Sequence, residues 1–120
     1  MHVVVLVSDL ITASRIESVV IRSEGTFDRI ESPEALAAFA EADLLVVDWA
    51  AREPRWAAAI STWREGGPEP RPRVILFGPH TDLEAHAEAR ASGLGPMLAR
   101  SALSGEVERV MRLRRGDAPA

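Results

Sequence analysis

The chain has 120 residues, 47% hydrophobic and 27% charged, with a formal net charge of −4. That length and mix suit one soluble globular domain able to bury a core without covalent staples, and the acidic balance disfavours a nucleic-acid-binding surface on this domain. Cysteine is absent and all 14 basic residues are arginine, which excludes disulfides, thiolate chemistry, sulfur-ligated metals and any mechanism that needs a lysine ammonium.

The opening MHVVVLV has no basic flank, and its apolar run is too short for a signal peptide or a membrane span. A cytoplasmic location is the expectation. Residues 3–7 (VVVLV) predict a strand closed by Ser8 and Asp9. A helix follows, with Ala13, Ile16, Val19 and Val20 on one face and Gly25 as its stop. TFDRIE (26–31) is short and polar and predicts an edge strand. SPEALAAFAEA predicts a second helix, capped by Ser32 with Pro33 in its first turn and Leu36, Phe39 and Ala40 as its buried stripe. LLVVDWA (44–50) then reads as a strand covered on both faces, with Asp48 at its lip.

Trp56, Ile60 and Trp63 give the next helix, from about Pro54 to Glu65, an apolar core-facing stripe. GGPEPRPR (66–73) must be loop and VILF (74–77) a buried strand ended by Gly78 and Pro79. Thr81 and Glu84 stand in a capping-box relation and open a helix that Gly93 ends. PMLA (96–99) is a short strand, and Leu103, Val107, Val110 and Met111 share one face of the last helix. Five β-α repeats without an internal boundary predict one α/β domain over residues 1–115 and a disordered tail over 116–120. The expected architecture is a five-stranded parallel sheet of flavodoxin-like winding, order 2-1-3-4-5, with helices on both faces.

In such sheets ligands bind beyond the carboxyl ends of the strands, where the winding reverses between strands 1 and 3. Asp9 and Asp48 both fall there. A pair of close carboxylates favours a shared proton or a nearby cation, and oxygen ligands with few protein donors suit Mg²⁺. The plainer alternative is that each acid caps the element after it.

The whole chain resembles the receiver domain of bacterial response regulators. VVVLVSDLITASRI resembles the family's first strand and acidic turn, and LLVVDWA its phospho-acceptor strand. The resemblance implies Asp48 at the acceptor position, Asp9 as the second acid, and Ser8 where the first acid usually stands. It implies Mg²⁺ bound by Asp9, Asp48 and the backbone carbonyl of Ala50, weakly if at all because Ser8 brings no charge. Elsewhere the switch positions depart from the pattern. Gly78 replaces a Thr or Ser that bonds the phosphoryl group, Arg100 followed by Ser101 replaces Lys-Pro, and Met97 replaces the aromatic switch residue. A planar guanidinium is a poor substitute for a compact ammonium in phosphoryl transfer.

The leading expectation is therefore a pseudo-receiver, with no enzymatic activity and no cofactor beyond weak Mg²⁺. It would signal through a protein partner or a homodimer on the face of helix 4, strand 5 and helix 5, including Arg90, Met97, Arg100 and Arg112. No membrane is implied. The alternative is a regulator still phosphorylated on Asp48 with Mg²⁺ at Asp9 and Asp48, which would retain aspartyl autophosphorylation. A third reading, a small metal-dependent hydrolase, would use Asp9, Asp48 and His80. His2 and His86 lack zinc-site spacing, and Trp56 and Trp63 read as core with Trp49 near the site mouth. Arg109, Arg112, Arg114 and Arg115 make the last helix basic, read as a helix-end and solvation effect. Arg100 is the nearest candidate cation for Asp48 and is expected to pair with it across the crevice.

Overall fold

The aliphatic runs form the strands of one parallel sheet in the order β2-β1-β3-β4-β5 in the computed structural model, which describes residues 1–114. The elements are β1 (His2–Leu6), α1 (Leu10–Arg22), β2 (Thr26–Ile30), β3 (Leu44–Asp48), α2 (Trp56–Glu65), β4 (Arg73–Gly78), α3 (Leu83–Ser92), β5 (Met97–Ala99) and α4 (Leu103–Arg114). Three 3₁₀ turns join them, at Pro33–Ala38, Trp49–Ala51 and Arg100–Ala102. The tail expected over 116–120, with Arg115, lies outside the described residues.

Side-chain alternation along the strands splits the core into two layers. On one face Val3, Val5, Leu44, Val46 and Phe77 pack against Ile16 and Val20 of α1 and Val107 and Val110 of α4. On the other, Val4, Leu6, Leu45, Val47 and Leu76 meet Leu36, Ile60, Ala85 and Ala89. Every residue of β3 is buried, as a central strand covered twice requires. The edge strand β2 has Asp28 and Arg29 exposed and buries only Ile30.

Four local expectations change. The expected second α-helix is only the 3₁₀ turn Pro33–Ala38, held by bonds such as Phe39 N to Leu36 O. Leu36 is buried, Phe39 only partly and Ala40 not at all, so the segment has too little apolar stripe to dock a longer helix. Ser32 makes no side-chain capping bond. Helix α3 is capped by Asp82 rather than Thr81, since the turn Asp82 N to Pro79 O (3.1 Å) sets the Asp82 carboxylate on the amide of Ala85 at 3.0 Å. Helix α1 ends at Arg22, and Glu24, not Gly25, takes the left-handed conformation (φ 62°). Gly25 matters for space instead, because a Cβ there would stand 2.6 Å from Met111 Cε and 2.9 Å from the Met1 carbonyl.

The parallel register brings the ends of β1, β3, β4 and β5 to one rim. Leu6 pairs with Val47, Asp48 with Phe77 and Gly78 with Ala99. All the residues singled out for chemistry follow or end these strands.

Candidate functional site

Asp9 is the N-cap of α1, and its carboxylate accepts from the Ile11 amide at 3.0 Å and the Thr12 hydroxyl at 2.8 Å. A hydrogen bond from Thr12, then the Ile11 amide, hold its pKa below the usual carboxylate range, with Arg100 adding a smaller pull. Asp48 caps the Trp49–Ala51 turn by accepting from the Ala50 amide at 3.2 Å, and only 9% of it is exposed. Burial raises its pKa; the Ala50 amide and Arg100 oppose that, and the Asp9 charge reinforces it. The two acids therefore share one electrostatic site while each caps its own element. The capping role is formed at both acids.

Arg100 opens the turn after β5. Its Nη1 reaches Asp9 Oδ2 at 3.4 Å, and its guanidinium lies 5.5 Å over the Phe77 ring. The expected ion pair with Asp48 is not formed. The guanidinium head, placed over Phe77, turns to Asp9, and the Asp48 carboxylate is turned to the Ala50 amide. Both Arg100 and Asp9 are close to half exposed in this pair, so it is a screened contact.

Gly78 and Met97 are buried side by side. An ideal Cβ on Gly78 would lie 2.8 Å from Met97 Sδ, 3.5 Å from Met97 Cε and 3.6 Å from the Ala50 amide nitrogen. The methionine sulfur thus fills the room a side chain at position 78 would need, between the end of β4 and the turn after Asp48.

A divalent cation would meet strong local competition. The Asp9 oxygens accept from Ile11, Thr12 and Arg100, and Asp48 accepts from Ala50. No group of three or more His, Asp or Glu able to hold a metal occurs among the described residues. Ser8 is exposed, as is Ala50. His80 is also exposed; its carbonyl accepts from His86 Nε2 at 3.0 Å, and no hydrogen bond joins it to either acid.

Trp49 lies deeper than the expected site mouth. It is 2% exposed and its Nε1 donates to the Ala85 carbonyl at 3.1 Å, tying the turn after Asp48 to α3. Arg52 lies 5.9 Å over the Trp49 ring and is ion-paired with Glu88. Trp56 is core, while Trp63 is only partly buried. Of the expected partner face, Arg90 and Arg100 are exposed, but Met97 points inward and Arg112 lies in a cleft with Val19 and Arg22 of α1. The arginines of α4 are paired internally, Arg109 with Glu106, Arg112 with Glu108 at 3.1 Å and Arg114 with Asp43 at 2.9 Å. Thr12 was not singled out by the sequence, although a hydroxyl three residues after a capping acid is the signal for it.

This fold matches solved structures. A response regulator from Thermotoga maritima superposes with a TM-score of 0.69 at 16% identity, over 92% of this chain and 96% of the other. A response regulator receiver protein from Burkholderia phymatum gives 0.70 at 18%, over 98% and 96%. The fold is the receiver fold. An atypical orphan response regulator, described as revealing a phosphorylation-independent regulatory mechanism, matches at 0.68 and 18% identity over 93% of this chain and 96% of that one. No protein-family model matches the sequence, and no curated protein does either. No helix among the described residues is long and apolar enough to cross a membrane.

Proposed function

We propose that the chain is an atypical receiver that works in signal transduction through protein contacts, without phosphorylation of Asp48. The observation that carries this reading is the packing of Met97 into the space beside Gly78. In a switching receiver a hydroxyl side chain after β4 would draw toward a phosphorylated acceptor. Here there is no hydroxyl, and the sulfur occupies its place. Arg100 stands where the lysine would be, is drawn to Asp9, and presents a planar fork rather than a compact charge. Positioned charge is what phosphoryl transfer depends on. The atypical orphan regulator of the same fold, with its phosphorylation-independent mechanism, supports the reading by analogy.

The alternative, Asp48 as a working phospho-acceptor with Mg²⁺ at Asp9 and Asp48, is separated by one experiment. The full chain is incubated with acetyl phosphate and Mg²⁺, and its intact mass is measured. No added phosphoryl mass is expected. An adduct that is absent in Asp48→Asn would overturn the proposal and establish the alternative.

A further inference from the structure

Beside the acidic rim lies a second feature that shares Thr12 and Arg100 with Asp9 but extends beyond them. A cleft of about 130 Å³ opens between α1 and the start of α4. Ile16 and Leu103 form its apolar floor, and Arg15, Arg100, Ser101 and Ser104 its polar walls. Thr12 also lines it, but that hydroxyl already donates to Asp9.

Its electrostatics are one-sided. No acidic side chain lines the cleft. Arg15 is exposed and makes no hydrogen bond or ion pair among the described residues, so its guanidinium is free to take a ligand. Arg100 holds Asp9 only at 3.4 Å and half exposed, a contact that a stronger anion can draw away. Two guanidinium forks can each bind a pair of oxygens, and two serine hydroxyls can donate to others. A carboxylate would satisfy only one fork. A tetrahedral dianion carries oxygens enough to be shared among both forks and the hydroxyls.

We propose that this cleft binds a phosphate-type oxyanion, either the free ion or the phosphate group of a small monoester. The cleft, at about 130 Å³, is small beside a nucleotide, whose remainder would project into solvent, but has room for a tetrahedral group. Arg15 takes no part in the Asp9–Asp48 network, so the cleft is coupled to the acids through Arg100. It would place Arg100 between two anions, so that occupancy of the cleft loosens the hold of Arg100 on Asp9.

The test is a titration of the ¹⁵N-labelled full chain with inorganic phosphate, phenyl phosphate and acetate, at constant ionic strength. The backbone amides of Ser101 and Ser104 and the arginine Nε–H signals report binding. Saturable shifts in the millimolar range are expected with phosphate, weakened about tenfold by Arg15→Gln and less by Arg15→Lys, which keeps the charge but not the fork. Comparable binding of phenyl phosphate would point to an organic monoester as the ligand, and binding of inorganic phosphate alone to the free ion. Shifts equal with acetate, unsaturable, or unchanged by Arg15→Gln would overturn the site. Arg15 is exposed on its helix, so its variants retain the fold.

Discussion

Gly78→Ala tests whether the methionine locks the position that a switching receiver leaves for a hydroxyl. Gly78 does not have the positive φ that would penalise a side chain, so the backbone alone would favour alanine by about 0.4–1 kcal/mol through the unfolded state. Against that stands the new Cβ at 2.8 Å from Met97 Sδ, closer than the two atoms can stay. Overpacking of a filled core costs about 1–3 kcal/mol. Met97 is flexible but buried at 4% exposure, with limited room to retreat. The net expectation is a loss of about 1 kcal/mol, a fall in Tm of about 4 °C for a domain this size. The decisive comparison is the same substitution in a Met97→Ala background. Met97→Ala alone should cost about 2–5 kcal/mol for the cavity, but with the sulfur gone the added methyl should become neutral or stabilising. That gives a coupling of about 1–2 kcal/mol between the sites, within the range for residues in contact. Urea denaturation of the four proteins measures it. Gly78→Ala that stabilises the wild-type background, or an equal effect in both backgrounds, would refute the packing argument.

Three further outcomes follow from the acidic rim. Mg²⁺ should bind no more tightly than about 1 mM (about −4 kcal/mol), because it must displace capping bonds and Arg100; calorimetric titration showing micromolar affinity would contradict this. Asp48→Asn should keep the bond from the Ala50 amide while removing a buried charge. Because the folded pKa of Asp48 is raised above 3.8, the folded state holds its proton more tightly, and wild-type stability contributed by this group falls as pH rises through that window. The variant should match wild type at low pH and exceed it by a constant amount above the folded pKa, as read from denaturation midpoints against pH; an advantage that shrinks with rising pH would reverse the assignment. Arg100→Gln should raise the pKa of both Asp9 and Asp48, since Arg100 lowers each; carboxyl ¹³C titrations in which Asp9 does not move would show that the pair at 3.4 Å is not populated in solution.

The sheet was legible because its signals are local and redundant. Each buried strand is an aliphatic run cut off by Asp, Gly or Pro, and each amphipathic helix carries its stripe at the proper spacing. The order 2-1-3-4-5 is that of the flavodoxin-like winding which five β-α units fit, and the short polar second strand suits its edge place there. The 3₁₀ turn at Pro33–Ala38 was not legible, because alanine and glutamate favour a helix whenever packing leaves room for one, and here β3 begins six residues later. The site was half legible. Strand ends fix where Asp9 and Asp48 lie, since that depends on backbone position alone. The partner of Arg100 depends on the path of a long side chain over Phe77, which no spacing in the sequence encodes.

The Gly78–Met97 contact belongs between these cases. In β4 and β5, Leu76 pairs with Met97 and Gly78 with Ala99, so Gly78 lies two residues along from the partner of Met97 and on the same face of the sheet. Given the parallel register, a missing side chain at 78 and a long flexible one at 97 are complementary volumes in one layer. That complementarity ties positions 78 and 97 together. With glycine at 78 the methionine folds inward and fills the gap, and a larger residue at 78 would have to displace the sulfur. Asp48 is not subject to this constraint. Its carboxylate sits at the rim, satisfied by the Ala50 amide and eased by Arg100 at longer range, and the sheet beneath it packs without its help. An acid can thus stand at the end of the most buried strand without the packing of the sheet depending on it.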